Sequence, residues 1–216
     1  GSRTIVDGSE KTATGCLGSP LRGVRLVEDQ VSETTTVTLN HHCHDIHRVR
    51  NLVEQLGEFR EVEADEMPEV DRSLLSHDHH MTVTVESFHA SLVNVDVLTT
   101  DISGDHYARK ILLRRQSDDQ VVQFGIMRLD LGFLEPEVRA EILSQQTPLG
   151  RILIEHDVLR EVQLVALWKI QAGPDLADFF GIAQHAEVYG RTALIYCNGE
   201  PVVELLEIIT PAADDH

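Results

Sequence analysis

The chain has 216 residues, 42% of them apolar and 25% charged, which places it among globular proteins long enough for one substantial core. Its 36 acidic against 18 basic residues give a net charge of −18, which argues against nucleic acid or an anionic membrane as partner. No apolar run approaches the roughly 18 residues of a membrane span, and no secretory leader is visible. Three cysteines, Cys16, Cys43 and Cys197, suit a reducing compartment, so the expected location is the cytoplasm.

Residues 1–20 open with Gly1-Ser2, which reads as a tag remnant, and continue rich in Gly, Ser and Thr; they are expected to be flexible. An extension, 21–71, follows. It holds a candidate strand at 22–39, an amphipathic helix at 41–59 and an acidic linker at 61–71. In that helix Ile46, Val49, Leu52, Val53 and Leu56 share one face, and Gly57 supplies the stop.

The main domain is expected over 72–216. A short helix around "RSLLSHDHHMT" comes first. "SLVNVDVLTT" alternates as a half-buried strand. "YARKILLRR" and "QVVQFGIMRLDL" form a hairpin, and "LEPEVRAEILSQ" a helix with Pro136 in its first turn. After Pro148-Leu149-Gly150-Arg151, "REVQLVALWKI" reads as strand and "PDLADFFG" as a helical insert. Two strands flanking Asn198-Gly199 close the chain. Strands joined by hairpins predict an α+β fold, an antiparallel sheet covered by helices.

Several residues break these patterns. Arg109 opens a mostly apolar strand; it is either a strand-end arginine or a guanidinium fork for a ligand carboxylate. Glu204 and Glu207 lie on opposite faces of the last strand. One can be solvated; the other is a buried acid, raised in pKa unless an arginine pairs with it. Leu149-Gly150 is either a connector or a backbone wall open to an anion. Glu155, His156 and Asp157 read as a solvated turn. His41, His42, Cys43, His44 and His47, and again His77, His79 and His80, crowd two segments without a clean zinc spacing, so no metal site is expected. No Gly-x-Ser-x-Gly elbow or Gly-rich phosphate loop occurs.

Four collinear segments resemble the chorismate pyruvate-lyases: "HDHHMT", "YARKILL", "QQTPLGRIL" and "VYGRTALIYCNGEPVVELLEIITP", spanning about residues 73–211. The resemblance implies a chorismate lyase-like fold, a single antiparallel β-sheet of about six strands with helices packed on it, enclosing the ligand. It implies loss of pyruvate from chorismate to leave 4-hydroxybenzoate, with no metal or organic cofactor. Catalytic roles would fall to Arg109, holding the substrate carboxylate, and Glu207, at the far end of the ring. Met81, Leu149 and Gly150 would line the pocket, with Arg160 as a second cationic contact and Glu204 as rival to Glu207. Ile126 stands where the family carries an arginine after the glycine, and the last strand has one residue more between its proline and its glutamate. The alternative is a non-catalytic binder of small aromatic acids, because the same fold resembles the ligand-sensing domain of some bacterial transcription regulators.

Overall fold

The computed structural model describes residues 55–158, 161–197 and 200–211. The expected strand at 22–39, most of the helix at 41–59, the Asn198-Gly199 turn and Arg160 lie outside the described residues. So do the first histidine cluster and the segment 1–20.

Seven antiparallel strands form one sheet in the order β1-β5-β6-β7-β4-β3-β2. They are β1 (Gly57–Val62), β2 (Val93–Ser103), β3 (His106–Arg115), β4 (Val121–Asp130), β5 (Glu161–Ala172), β6 (Glu187–Cys197) and β7 (Glu200–Ile209). Helices α1 (Glu69–Leu75), α2 (Met81–His89), α3 (Pro136–Ser144), α4 (Leu149–Glu155) and α5 (Pro174–Phe180) cover it. The fold is α+β, and the sheet is two three-stranded meanders, β2-β3-β4 and β5-β6-β7, joined where β4 pairs with β7, with β1 added at the edge beside β5. Among the described residues no helix is long and apolar enough to cross a membrane.

Period-2 alternation gives each strand two faces. On one, Tyr107, Met127, Leu129 and Ile195 pack under α3 and α4, and Leu113, Tyr189 and Ile209 under α1 and α2. On the other, Leu112, Phe124, Trp168 and Ile208 pack with Leu176 of α5, and Phe179 of α5 stacks on Phe124 with ring centroids 5.7 Å apart.

Beyond the segment 72–82, where one short helix is expected and α1 and α2 stand on either side of residues 76–80, two elements differ from expectation. Among the described residues the sheet has seven strands because β1 occupies the end of the predicted helix and the start of the predicted acidic linker, so the sheet reaches N-terminal of residue 72. Phe59 buries against Trp168 on one face and Val62 on the other, while Glu58, Arg60 and Glu61 stay in water. Sheet pairing with β5 outweighs the helical pattern that runs into Gly57. The second difference is α4, expected as a turn. Pro148 sets its entry, and Leu149, Ile152 and Leu153 bury at helical 3/4 spacing.

Gly57 makes the bend into β1. Its φ is +126°, and a Cβ there would lie 2.0 Å from the carbonyl oxygen of Gln171. Gly57→Ala is therefore expected to cost about 2–3 kcal/mol. Amide exchange should accelerate at Phe59 and Val62 and not in β3 or β4. Uniform exchange across the sheet would contradict this local account.

Candidate functional site

Arg109 projects from β3 on the face that α1 to α4 cover. It is 2% exposed, and none of its three guanidinium nitrogens has a hydrogen-bond partner among the described residues. Burial holds its pKa below the ordinary arginine value; the neighbouring Tyr107 hydroxyl pulls the other way without closing a hydrogen bond. An isolated charge removed from water is costly. Such an arginine is a standing demand for an anion.

The guanidinium lines a cavity floored by β3, β4, β6 and β7 and walled by the starts of α2 and α4. Met81 and Leu149 stand in its wall, together with Gly150. About 50 Å³ is open to the centres of water-sized molecules, against the roughly 10–15 Å³ that one water needs.

Glu207 reaches the same cavity from β7 and resolves the alternative left by the sequence: it is buried and paired. Arg191 Nε of β6 donates to Glu207 Oε2 at 2.8 Å, and Gln123 Nε2 of β4 donates to Oε1 at 3.4 Å. The register produces this trio, since Glu207 lies opposite both Gly125 and Arg191. Arg191 is 0% exposed and is itself fully committed. Its Nη1 donates to the carbonyl of His77 at 2.7 Å and its Nη2 to that of His79 at 2.9 Å. It thus staples the α1–α2 connection onto the sheet. Nothing in the segment "VYGRTALIYC" names the partners of Arg191, which lie on β7 and in the α1–α2 connection. The available signal was a lone arginine in a buried apolar strand.

Glu204 does not share this site. It stands three positions before Glu207, so its side chain leaves the opposite face, where Arg128 Nη1 lies 3.4 Å from it. Arg128 likewise points away and does not replace the arginine that the resemblance puts at Ile126. Gly150 lines the cavity, but its close approach is between helices: a Cβ there would lie 2.9 Å from Thr82 Oγ1 of α2. The wall at Leu149-Gly150 is thus the first turn of α4, where backbone N–H groups lack intrahelical acceptors. Arg160 is outside the described residues. His156 ties α4 to α3 through Glu141 at 2.6 Å, on the surface as expected.

Among the described residues no three His, Cys, Asp or Glu side chains gather as metal ligands. His77 and His79 stack with ring centroids 5.5 Å apart, and His80 turns a partnerless Nε2 into the buried cavity wall. Burial first, and the Arg191 charge second, hold His77 and His80 below the ordinary histidine value of 6.5. Unfolded histidine takes up its proton near that value while the folded ring resists it. Acidification below 6.5 therefore loads the unfolded chain with more protons, and stability falls; above it this contribution is flat. His80→Gln should shrink the drop in urea midpoint between pH 7.5 and 5.5. Equal drops in variant and parent would assign the effect elsewhere.

Fold and site together define an α+β domain with a small, cationic, largely apolar cavity on the helix-covered face of its sheet. Scans of protein-family models and of curated proteins give no match. Some solved structures are similar. One is described as the ligand-binding domain of a GntR-family transcriptional regulator from Bordetella bronchiseptica: 15% identity, 57% of this chain and 87% of that one, TM-score 0.44. PhnF from Mycobacterium smegmatis aligns at 9% identity over 61% of this chain and 63% of its own, TM-score 0.48. The C-terminal domain of the histidine utilization repressor from Pseudomonas syringae pv. tomato aligns at 14% over 57% and 97%, TM-score 0.42. Identities this low attach none of the neighbours' functions to this chain.

Proposed function

We propose that the cavity binds a small, monoanionic ring carboxylate and that the domain senses this ligand rather than transforming it. The observation that carries the reading is Arg109, a buried guanidinium with no hydrogen-bond partner among the described residues. A carboxylate would satisfy it with a bidentate, charge-assisted pair. Apolar side chains such as Met81, Ile111 and Leu205 offer a ring the surface to replace water.

Two features favour binding over elimination of pyruvate. Chorismate is a dianion, yet Arg191 is spent on Glu207 and the backbone, which leaves Arg109 as the one uncommitted guanidinium lining the cavity among the described residues. A lyase also needs a carboxyl free to move a proton at the ether oxygen. Both oxygens of Glu207 already accept from protein donors. A net charge of −18 keeps the chain itself from contact with a phosphate backbone, so a regulatory output would pass through another surface or partner.

Calorimetric titration with benzoate and its neutral isostere benzamide tests the reading, alongside incubation with chorismate and coupled detection of pyruvate. Benzoate is expected to bind, benzamide to bind at least tenfold more weakly, and chorismate to release no pyruvate above the uncatalysed rate. Catalytic pyruvate release would restore the lyase reading. Equal affinity for benzoate and benzamide would remove Arg109 as the anchor.

A further inference from the structure

We propose that residues 41–54 cover the open end of the sheet face that carries α5, lying on it as a helix beside α5. This stands apart from the ligand reading, because it concerns the other face of the sheet.

That face is half covered. α5 starts at the end of β5, and its Phe179 stacks on Phe124 of β4, so α5 crosses the sheet from β5 to β4. Phe124, Trp168 and Ile208 pack with its Leu176. Further along the same strands the face stays apolar. Val165 is 42% exposed there, and Ile126 and Leu194 are half-buried. With Leu206 they line a shallow depression, which the Arg128–Glu204 pair also lines. A contiguous apolar patch edged by charge is a contact surface.

The start of the described residues points to what covers it. Gln55 and Leu56 are helical, and Leu56, 1% exposed, is already buried with Trp168 and Leu176. Its carbonyl accepts from Gly173 N at 2.8 Å, at the corner where β5 gives way to α5. Residues 41–54 lie outside the described residues, and their sequence continues the pattern. Ile46, Val49, Leu52 and Val53 fall on the stripe of Leu56 at 3/4 spacing. A helix running back from that corner aims this stripe where Leu56 is aimed, at the α5 side of the sheet.

The dimensions agree. From Ile46 to Leu56 a helix rises about 15 Å. From β5 across β6 and β7 to β4 the sheet spans three inter-strand steps, about 14 Å. Packed helices stand about 8–10 Å apart, which is about three residues along a strand. Three residues from Trp168 is Val165, and three from Phe124 lies between Ile126 and Arg128. A helix set beside α5 therefore falls on the open apolar patch.

Charge favours this occupant over a second copy of the chain. A second copy would bring another −18 to the contact. In 41–54, Arg48 and Arg50 balance Asp45 and Glu54. Asp45, next to Ile46, would arrive where Arg128 of β4 and Lys110, opposite Ile126 on β3, leave this face.

Hydrogen exchange of the full chain, read by mass spectrometry at two protein concentrations, tests the proposal. Amides of 46–54 are expected to exchange at least about tenfold slower than in a synthetic peptide of residues 41–54. Val165→Asp alters a side chain that is exposed unless the segment covers it. It is expected to return 46–54 to the peptide rate while β2 and β3 stay protected. Val49→Asp should do the same from the other side of the contact, and it decides alone if Val165→Asp disturbs β3. Peptide-like exchange in the parent overturns the proposal. So does protection that survives Val49→Asp, which would put the segment elsewhere. Protection that vanishes on dilution also overturns it, because the segment would then be covering another copy.

Discussion

Arg109→Met is expected to abolish carboxylate binding and to raise thermal stability in the same protein. The two effects share one cause. In the free chain the guanidinium is buried, its pKa lowered by desolvation, and unsatisfied at all three nitrogens among the described residues. Methionine fills a comparable volume and needs no partner. Removing the unpaired charge should stabilise the fold by about 1–3 kcal/mol. Affinity for benzoate should fall on the order of 10²–10³-fold, because the carboxylate would then be buried without its counter-charge. Arg109→Lys should retain part of the affinity, since a point charge cannot reproduce the bidentate fork. Parallel melting and titration experiments decide the matter. A destabilised Met variant would mean that Arg109 has a stabilising partner in the fold. Undiminished binding would mean that the anion sits elsewhere.

The Arg191–Glu207 pair is expected to behave in the opposite sense. Arg191→Met leaves a buried carboxylate without its cation and also releases the carbonyls of His77 and His79. Glu207→Leu leaves a wholly buried guanidinium with only the His77 and His79 carbonyls and the neutral His77 ring as partners. Each should cost about 3–5 kcal/mol. The double variant should cost clearly less than the sum, because replacing both members of a buried pair by apolar groups is often close to neutral. Urea unfolding of the four proteins gives the coupling directly. Arg191→Met should in addition speed amide exchange across residues 76–80, which Glu207→Leu alone should do less. Additive costs would show that the two side chains are held independently.

These two arginines differ in how far they can be read along the chain. Arg109 is legible because it interrupts an apolar strand, and burial of that strand follows from its composition alone. What remained open was whether a carboxylate of the protein would meet it, and that depends on which residues β2 and β4 place beside it. Arg191 interrupts an equally apolar strand and was passed over, because its partner is on another strand and its other contacts come from the connection after α1. Glu204 and Glu207 show the same limit. Alternation states that they part to opposite faces; only the sheet's two layers of helix show which face encloses a cavity. Gln123 offered no signal at all. Its role exists because β4 and β7 pair in a register that brings together residues separated by 84 positions.

Local periodicity and turn chemistry thus determined the α+β class, the hairpins, the helix at 136–144 and the helical insert at 174–180, since each depends on neighbours a few residues away. Local pattern and structure part at β1, α2 and α4, where pairing or packing with distant elements outweighs the pattern. The sequence by itself also identified Arg109, Met81, Leu149 and Glu207 as cavity residues through segments that run in a familiar order. The tertiary structure alone decided their chemistry. It closed Glu207 into an ion pair with Arg191, set Gln123 against it, and left Arg109 without a hydrogen-bond partner among the described residues. Charge compensation and hydrogen bonding depend on distances of about 3 Å across strands, and no pattern within a single strand encodes those.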